Sequence, residues 1–299
     1  MSRSHGISIL QALFAALLFG ASAPLAKLLL GQVSPIALAG LLYLGSGIGV
    51  LLVKIVQGAS TKEARITRPD WKWLAGAVIA GGVAAPIVLL FSLQQTPAST
   101  ASLLLNFEGV ATTTIAVLVF REAVSKRALW AVVCVGIASI LLTWDTSEQW
   151  GLSLGALGVL GACILWGIDN NFTRRISAKD PLTIVLVKGL GAGTFSLLLA
   201  LVLGNVLPAL AVVLGALLLG SISYGMSIVL FIRAMRGLGA SRTSALFGTS
   251  PVAGVILSLI IFHDPLNTLF LIALPLIVIA IGLLLSEQAG STPAPIQQQ

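Results

Sequence analysis

One acidic residue of the 299-residue chain, Glu108, falls deep inside a long apolar stretch. It lies about ten residues into the stretch 98–120, roughly 15 Å from the end of a helix that rises 1.5 Å per residue. A charged side chain at that depth costs on the order of 2.5–3.5 kcal/mol to insert into a bilayer, which makes it a functional candidate by default. The chemistry open to it is uptake and release of a proton. The competing reading is a protonated acid that hydrogen-bonds a neighbouring helix and only holds packing. Thr112 follows one turn later on the same face, and Asn106 is close by.

Asp169 and Lys188 are the next candidates. Each lies one to two turns inside the apolar stretches 152–173 and 181–204, at similar depth, so the two can pair. A pair offsets part of the desolvation of each ion. Alternatively Lys188 extends to the membrane surface while Asp169 meets Arg174 or Arg175. Trp166, Asp169, Asn170 and Thr173 are spaced i, i+3, i+4, i+7 and share one helix face. Gln94 and Gln95 close the third stretch, and Tyr224 and Ser227 lie in the eighth. An aromatic hydroxyl with amides and acids suits a polar or zwitterionic organic ligand. Hydrogen bonding between helices is the competing reading for each residue alone.

Other chemistries lack their residues. There is no GxxxxGK[ST] phosphate loop, which argues against ATP-driven work by this chain. His5 and His263 are the only histidines, so no metal-ligand spacing exists, and no Ser/His/Asp set is available. Cys134 and Cys163 sit in apolar runs as small hydrophobes and give no disulfide framework. Neither a metal nor a cofactor is expected.

The elements that must position these residues follow from composition. Residues of the AVILMFWYC class make up 57% of the chain and charged residues only 9%, against about a quarter in soluble domains. So little charge cannot cover a soluble surface, and a bilayer must serve as solvent. A crossing helix needs about 20 apolar residues. Such windows fall at 7–30, 36–56, 73–94, 98–120, 128–144, 152–173, 181–204, 209–232, 240–262 and 266–286. The first is too long for a cleaved signal sequence. The expected fold is therefore an all-α integral membrane protein of ten transmembrane helices, with a disordered polar tail at 287–299.

Orientation comes from the cations. Lys54, Lys62, Arg65, Arg68 and Lys72 fall between spans 2 and 3, and Arg121, Lys126 and Arg127 between spans 4 and 5. Arg174, Arg175 and Lys179 then follow span 6, and Arg233, Arg236 and Arg242 follow span 8. With Arg3, fifteen of the seventeen basic residues lie on one side, which places both termini inside. This distribution also accounts for the net charge of +7 without nucleic acid as a partner.

The chain repeats itself. Span 2 starts at Pro35 and carries Gly45 and Gly49; span 7 starts at Pro181 and carries Gly189 and Gly193. Span 4 opens Ala98-Ser99 and ends Phe120-Arg121-Glu122, while span 9 opens Ala240-Ser241 and ends Phe262-His263-Asp264. Phe19-Gly20 in span 1 answers Trp166-Gly167 in span 6. Five spans is an odd number, so the halves, 1–144 and 145–286, are expected as inverted five-helix repeats with a site between them near the midplane. The paired glycines imply close helix contacts. Pro24, Pro86, Pro251 and Pro275 imply kinks, static or gating.

The paired segments Ala98 to Glu122 and Ala240 to Asp264, with the Phe-Gly and Trp-Gly pairs, resemble the drug/metabolite transporter superfamily, bacterial EamA type. The resemblance spans residues 7–286. It implies spans 1–4 and 6–9 around a central cavity, spans 5 and 10 at the periphery, and residence in a bacterial inner membrane. It also implies a secondary transporter that exports amino acids or similar small metabolites by alternating access. The small multidrug relatives carry an acid in span 1 and this chain does not, so proton coupling here would have to use Glu108. A nucleotide-sugar or lipid carrier, or a membrane enzyme or subunit, are the alternatives. The partners expected are the lipid bilayer, a small metabolite and protons, with the chain a monomer or homodimer.

Overall fold

A computed structural model describes residues 3–57, 63–121, 124–144, 152–238, 243, 246–264 and 266–290. These residues form helices and short connections. Seven helices among them are long and apolar enough to cross a membrane, and Ser250–Phe262 and Thr268–Leu283 are shorter apolar helices. The expected sixth span is the 22-residue helix Leu154–Arg175, whose Asp169, two asparagines and terminal arginines keep it less apolar than the seven.

Where the helices break, the sequence supplies the cause. The first span is α1 (Arg3–Gly20) and α2 (Ser22–Leu29). Pro24 has no N–H, and its ring crowds the carbonyl four residues back, at Gly20, where α1 ends. After α3 (Pro35–Gln57), the third span is α4 (Trp71–Ala77), a π-helical stretch Val78–Ala84, and α5 (Ala85–Leu93). The Ala85 N–H reaches back five residues to the Ala80 carbonyl, and the next residue, Pro86, has no N–H to give to Gly81. The Gly81 carbonyl is thus left outside the helix ladder.

The fourth span divides into α6 (Ala98–Leu104) and α7 (Phe107–Phe120). Between them the Asn106 side-chain amide donates to the Leu103 carbonyl at 3.0 Å, the local competition with the backbone that asparagine favours. Next come α8 (Lys126–Thr143), α9 (Leu154–Arg175) and α10 (Pro181–Val202). The eighth span repeats the plan of the third: α11 (Leu210–Leu219), a π-helical stretch Gly220–Met226, and α12 (Ser227–Leu238). Finally, α13 is Ser250–Phe262 and α14 is Thr268–Gly290. Helix α14 continues past residue 286, so the tail expected from 287 begins in a helix instead; residues 291–299 lie outside the described ones. Glu122, Ala240, Ser241, Arg242, Asp145 and Glu148 also lie outside them.

At the centre α3 packs against α10 through small residues. A Cβ on Gly189 would fall 2.6 Å from the Gly47 nitrogen, so the two backbones touch. In lipid, where no hydrophobic drive separates helix from solvent, such close van der Waals contact is the main source of association. Helix α8 packs on α14 and α6 on α13. Both α7 and α13 end in a residue with left-handed backbone, Arg121 (φ 54°) and His263 (φ 51°).

At the basic end, the connections after α3 and after α9 are tied together. Lys54 Nζ lies 2.6 Å from Asp180 Oδ2 and Lys179 Nζ 3.2 Å from Asp70 Oδ2. The Arg175 guanidinium lies 5.6 Å from the Trp73 ring and 4.6 Å from the Phe120 ring, joining spans 3, 4 and 6.

Candidate functional site: an acid on the wall of a central cavity

A cavity of about 350 Å³ lies between the spans, and Glu108 is on its wall. The kink at Asn106 starts α7 with Glu108 in its first turn, turned toward α9. Glu108 Oε1 accepts a hydrogen bond from Asn170 Nδ2 at 2.7 Å, and the same amide nitrogen lies 3.1 Å from Thr112 Oγ1. Asn171 Nδ2 donates to the carbonyls of Thr112 (3.0 Å) and Gly167 (2.8 Å). Glu108, Thr112 and Asn170 therefore form one network across α7 and α9. Asn106 lines the cavity beside them.

The face of α9 divides its labour. Trp166 lines the cavity with its ring while its Nε1–H donates to the Gly81 carbonyl at 3.0 Å. Tyr43 donates its hydroxyl proton to the same carbonyl at 2.5 Å. The group left over by the π-helical turn is thus satisfied twice, as a buried carbonyl requires. One turn along, Asp169 faces away from the cavity. Its oxygens lie 2.7 and 2.5 Å from Lys188 Nζ, and Thr173 donates to Oδ1 at 2.9 Å. The two readings left open for Lys188 resolve in favour of the pair, which is nearly dry, at 17% and 5% side-chain exposure. The pair sits behind the wall and holds spans 3, 6 and 7 together.

On the other side, Tyr224 lines the cavity from the second π-helical stretch. Its ring meets Phe19 edge-on at 5.7 Å and Tyr43 at 5.8 Å, and Phe19 in turn meets Phe247 at 5.3 Å. Ser227 turns out instead, donating to the Ala15 carbonyl at 2.8 Å. Gln94 is exposed at the end of α5 and is not among the lining residues. Spans 5 and 10, expected at the periphery, do contribute to the wall, through Ala131 and Val135 of α8 and Ala280 of α14.

Sequence reasoning passed over Tyr43, Gly81, Asn171 and Lys27. A signal for Gly81 was present: a proline five residues after a glycine within a span withholds the donor that a π-helical register would need. Tyr43 and Tyr224 are the two tyrosines of the chain, and their rings meet.

Residues 6–144 and 153–286 each match the EamA-like transporter family. The chain belongs to that family. It is therefore a membrane transporter, built on the EamA-like fold. It is 28% identical over 269 residues to an uncharacterized transporter of Methanothermobacter thermautotrophicus, covering 85% of this chain and 78% of that one. It is 23% identical over 259 residues to the uncharacterized inner membrane transporter YedA of Escherichia coli K12, covering 83% and 81% respectively. One crystal structure superposes with a TM-score of 0.68 at 18% identity, over 95% of this EamA-like chain and 99% of the other, a likeness of fold.

Proposed function

We propose that this EamA-like protein is a secondary transporter that exports amino acids or similar small metabolites across a bacterial inner membrane. It works by alternating access and couples export to protons through Glu108. The observation that carries the proposal is the acid itself: a carboxylate on the wall of a central cavity, held by one amide, Asn170, at 2.7 Å. A group so placed can exchange a proton with solvent or with a cargo as the cavity opens to either side.

The architecture that goes with this function is ten spans in two inverted five-helix repeats, with both termini inside. Several features support it. The π-helical stretches fall in spans 3 and 8, and the left-handed C-caps Arg121 and His263 end spans 4 and 9. The pairs α3–α10, α6–α13 and α8–α14 each join one half to the other. Contacts at the end opposite the basic loops support a closed outer gate. There Ser99 donates from both N and Oγ to Asp264 Oδ2, at 2.9 and 2.7 Å. Lys27 donates to the Thr96 carbonyl and lies 5.7 Å from the Phe262 ring centre.

The test is counterflow in proteoliposomes loaded with a pooled metabolite mixture. Saturable exchange of a compound supports the carrier. Folded protein that exchanges nothing removes the reading.

A further inference from the structure

The cavity wall turns nearly all of its nitrogen donors inward to the protein. Trp166 gives its indole N–H to Gly81 and Asn106 gives one amide N–H to Leu103, while Asn170, behind the wall, gives its own to Glu108 and Thr112. What remains on the inner surface is acceptors, and hydroxyls that both donate and accept. Glu108 Oε2 has no hydrogen-bond partner among the described residues, and Ser22, Thr113, Tyr224 and Ser250 bring hydroxyls to the lining. The Asn106 carbonyl oxygen is left as an acceptor. Around these lie the rings of Phe19, Trp166, Tyr224 and Phe247. No lysine, arginine or histidine lines the cavity among the described residues. Lys188, behind the wall, is committed to Asp169.

From this lining we infer that the cavity selects an organic ammonium ion with an apolar or aromatic body, and disfavours any cargo that carries a carboxylate. The inference rests on the carrier reading above and narrows its cargo, setting amino acids aside in favour of similar small metabolites that carry an amine without a carboxylate. An ammonium group has three donors and no acceptor, which complements a carboxylate oxygen, an amide oxygen and a hydroxyl. Electron-rich ring faces attract cations, indole most of all. An α-amino acid brings the same ammonium but adds a carboxylate. In this lining its negative charge meets Glu108 at close range and finds no basic partner, only hydroxyls that can turn toward it. An unpaired charge taken out of water is the expensive case. The apolar side of the cavity, formed by spans 5 and 10, accepts the body of the cargo.

Three probes with one phenyl body separate the possibilities: phenylethylamine, phenylalanine and 3-phenylpropionate. Equilibrium binding to the purified protein is measured for each, with counterflow in proteoliposomes alongside. The amine is expected to bind and exchange, phenylalanine to bind about tenfold or more weakly, and phenylpropionate not to bind. Glu108→Gln, shown by its melting curve to be folded, is expected to lose the amine by about tenfold or more. Phe247→Leu is expected to weaken the amine by a smaller factor. The inference is overturned if phenylalanine binds as well as the amine or better. It is overturned equally if phenylpropionate binds, if the amine fails to bind, or if a folded Glu108→Gln variant binds it unchanged. Should another solute show saturable counterflow while the amine is ignored, the ammonium selectivity falls and the carrier survives.

Discussion

Glu108 on α7 and Asn170 on α9 meet at 2.7 Å, so one hydrogen bond joins the acid of the first half to the amide of the second. A single amide donor holds the carboxylate in place and leaves Oε2 without a hydrogen-bond partner among the described residues. This distinguishes it from Asp169, whose two oxygens are both taken by Lys188.

The Asp169–Lys188 pair is expected to act in stability. Lys188→Met leaves a buried aspartate without its partner, and is predicted to cost about 3–5 kcal/mol. Lys188→Met combined with Asp169→Asn should recover most of that loss. Thermal unfolding in detergent measures both. Equal and additive losses in the two single variants would show that the ions do not depend on each other.

Gly81 is required by close approach. A Cβ added there would lie 1.9 Å from Asp169 Oδ2. Gly81→Ala is therefore predicted to destabilise by about 1–3 kcal/mol, in the range of overpacked cores. Gly191→Ala is the control: its Cβ meets only Val78 Cγ1, at 3.9 Å. That variant should melt at or above the wild-type temperature, since alanine leaves the unfolded chain fewer conformations to lose on folding than glycine does. Tolerance of Gly81→Ala would mean that the π-helical turn is soft enough to move away.

Asp180 gives a pH signature at the basic end. Burial pushes its carboxyl up, but hydrogen bonds from Lys54, Thr183 and the Leu182 N–H, with the Lys54 charge, hold it below the ordinary 3.8. A group with its pKa lowered in the folded state stabilises above its unfolded pKa, and that contribution fades as pH falls through the folded value. Asp180→Asn keeps the cap on α10 but removes the charge. The wild type should melt above the variant at neutral pH, and the gap should close as pH drops below about 4. A gap that widens on acidification would contradict the assignment.

Asp264 holds the end opposite the basic loops through Ser99. With Cys134 and Cys163 replaced, a cysteine introduced at Ser102 on the cavity wall reports access. Asp264→Asn is predicted to speed its labelling by a membrane-impermeant thiol reagent added from outside. Unchanged labelling would mean that Asp264 caps α6 without gating.

The apolar helices were legible in the sequence because a bilayer core demands runs of apolar residues, and of the glycine pairs Gly189/Gly193 marked the close α3–α10 seam while Gly45/Gly49 marked the approach of α3 to Leu217 and Ser221. Glu108, Asn170 and Thr112 were legible because polar side chains deep in such runs need partners. The direction each residue faces was not. Trp166, Asp169 and Asn170 share a helix face by spacing, but at this crowded junction they point into three different neighbours. Gly81 and Tyr43 were hidden for a related reason. Their role comes from a carbonyl freed by Pro86, and backbone groups carry no letter in the sequence. Gln94 looked polar in the right place, but it ends its helix at an exposed position.

The most direct test of proton-coupled export through Glu108 is transport by reconstituted wild type and Glu108→Gln, each with and without an imposed pH gradient. A cargo's flux through the wild type is expected to rise with the gradient, and its gradient-driven flux to disappear in Glu108→Gln. Flux in the variant that still responds to the gradient as the wild type does would contradict it.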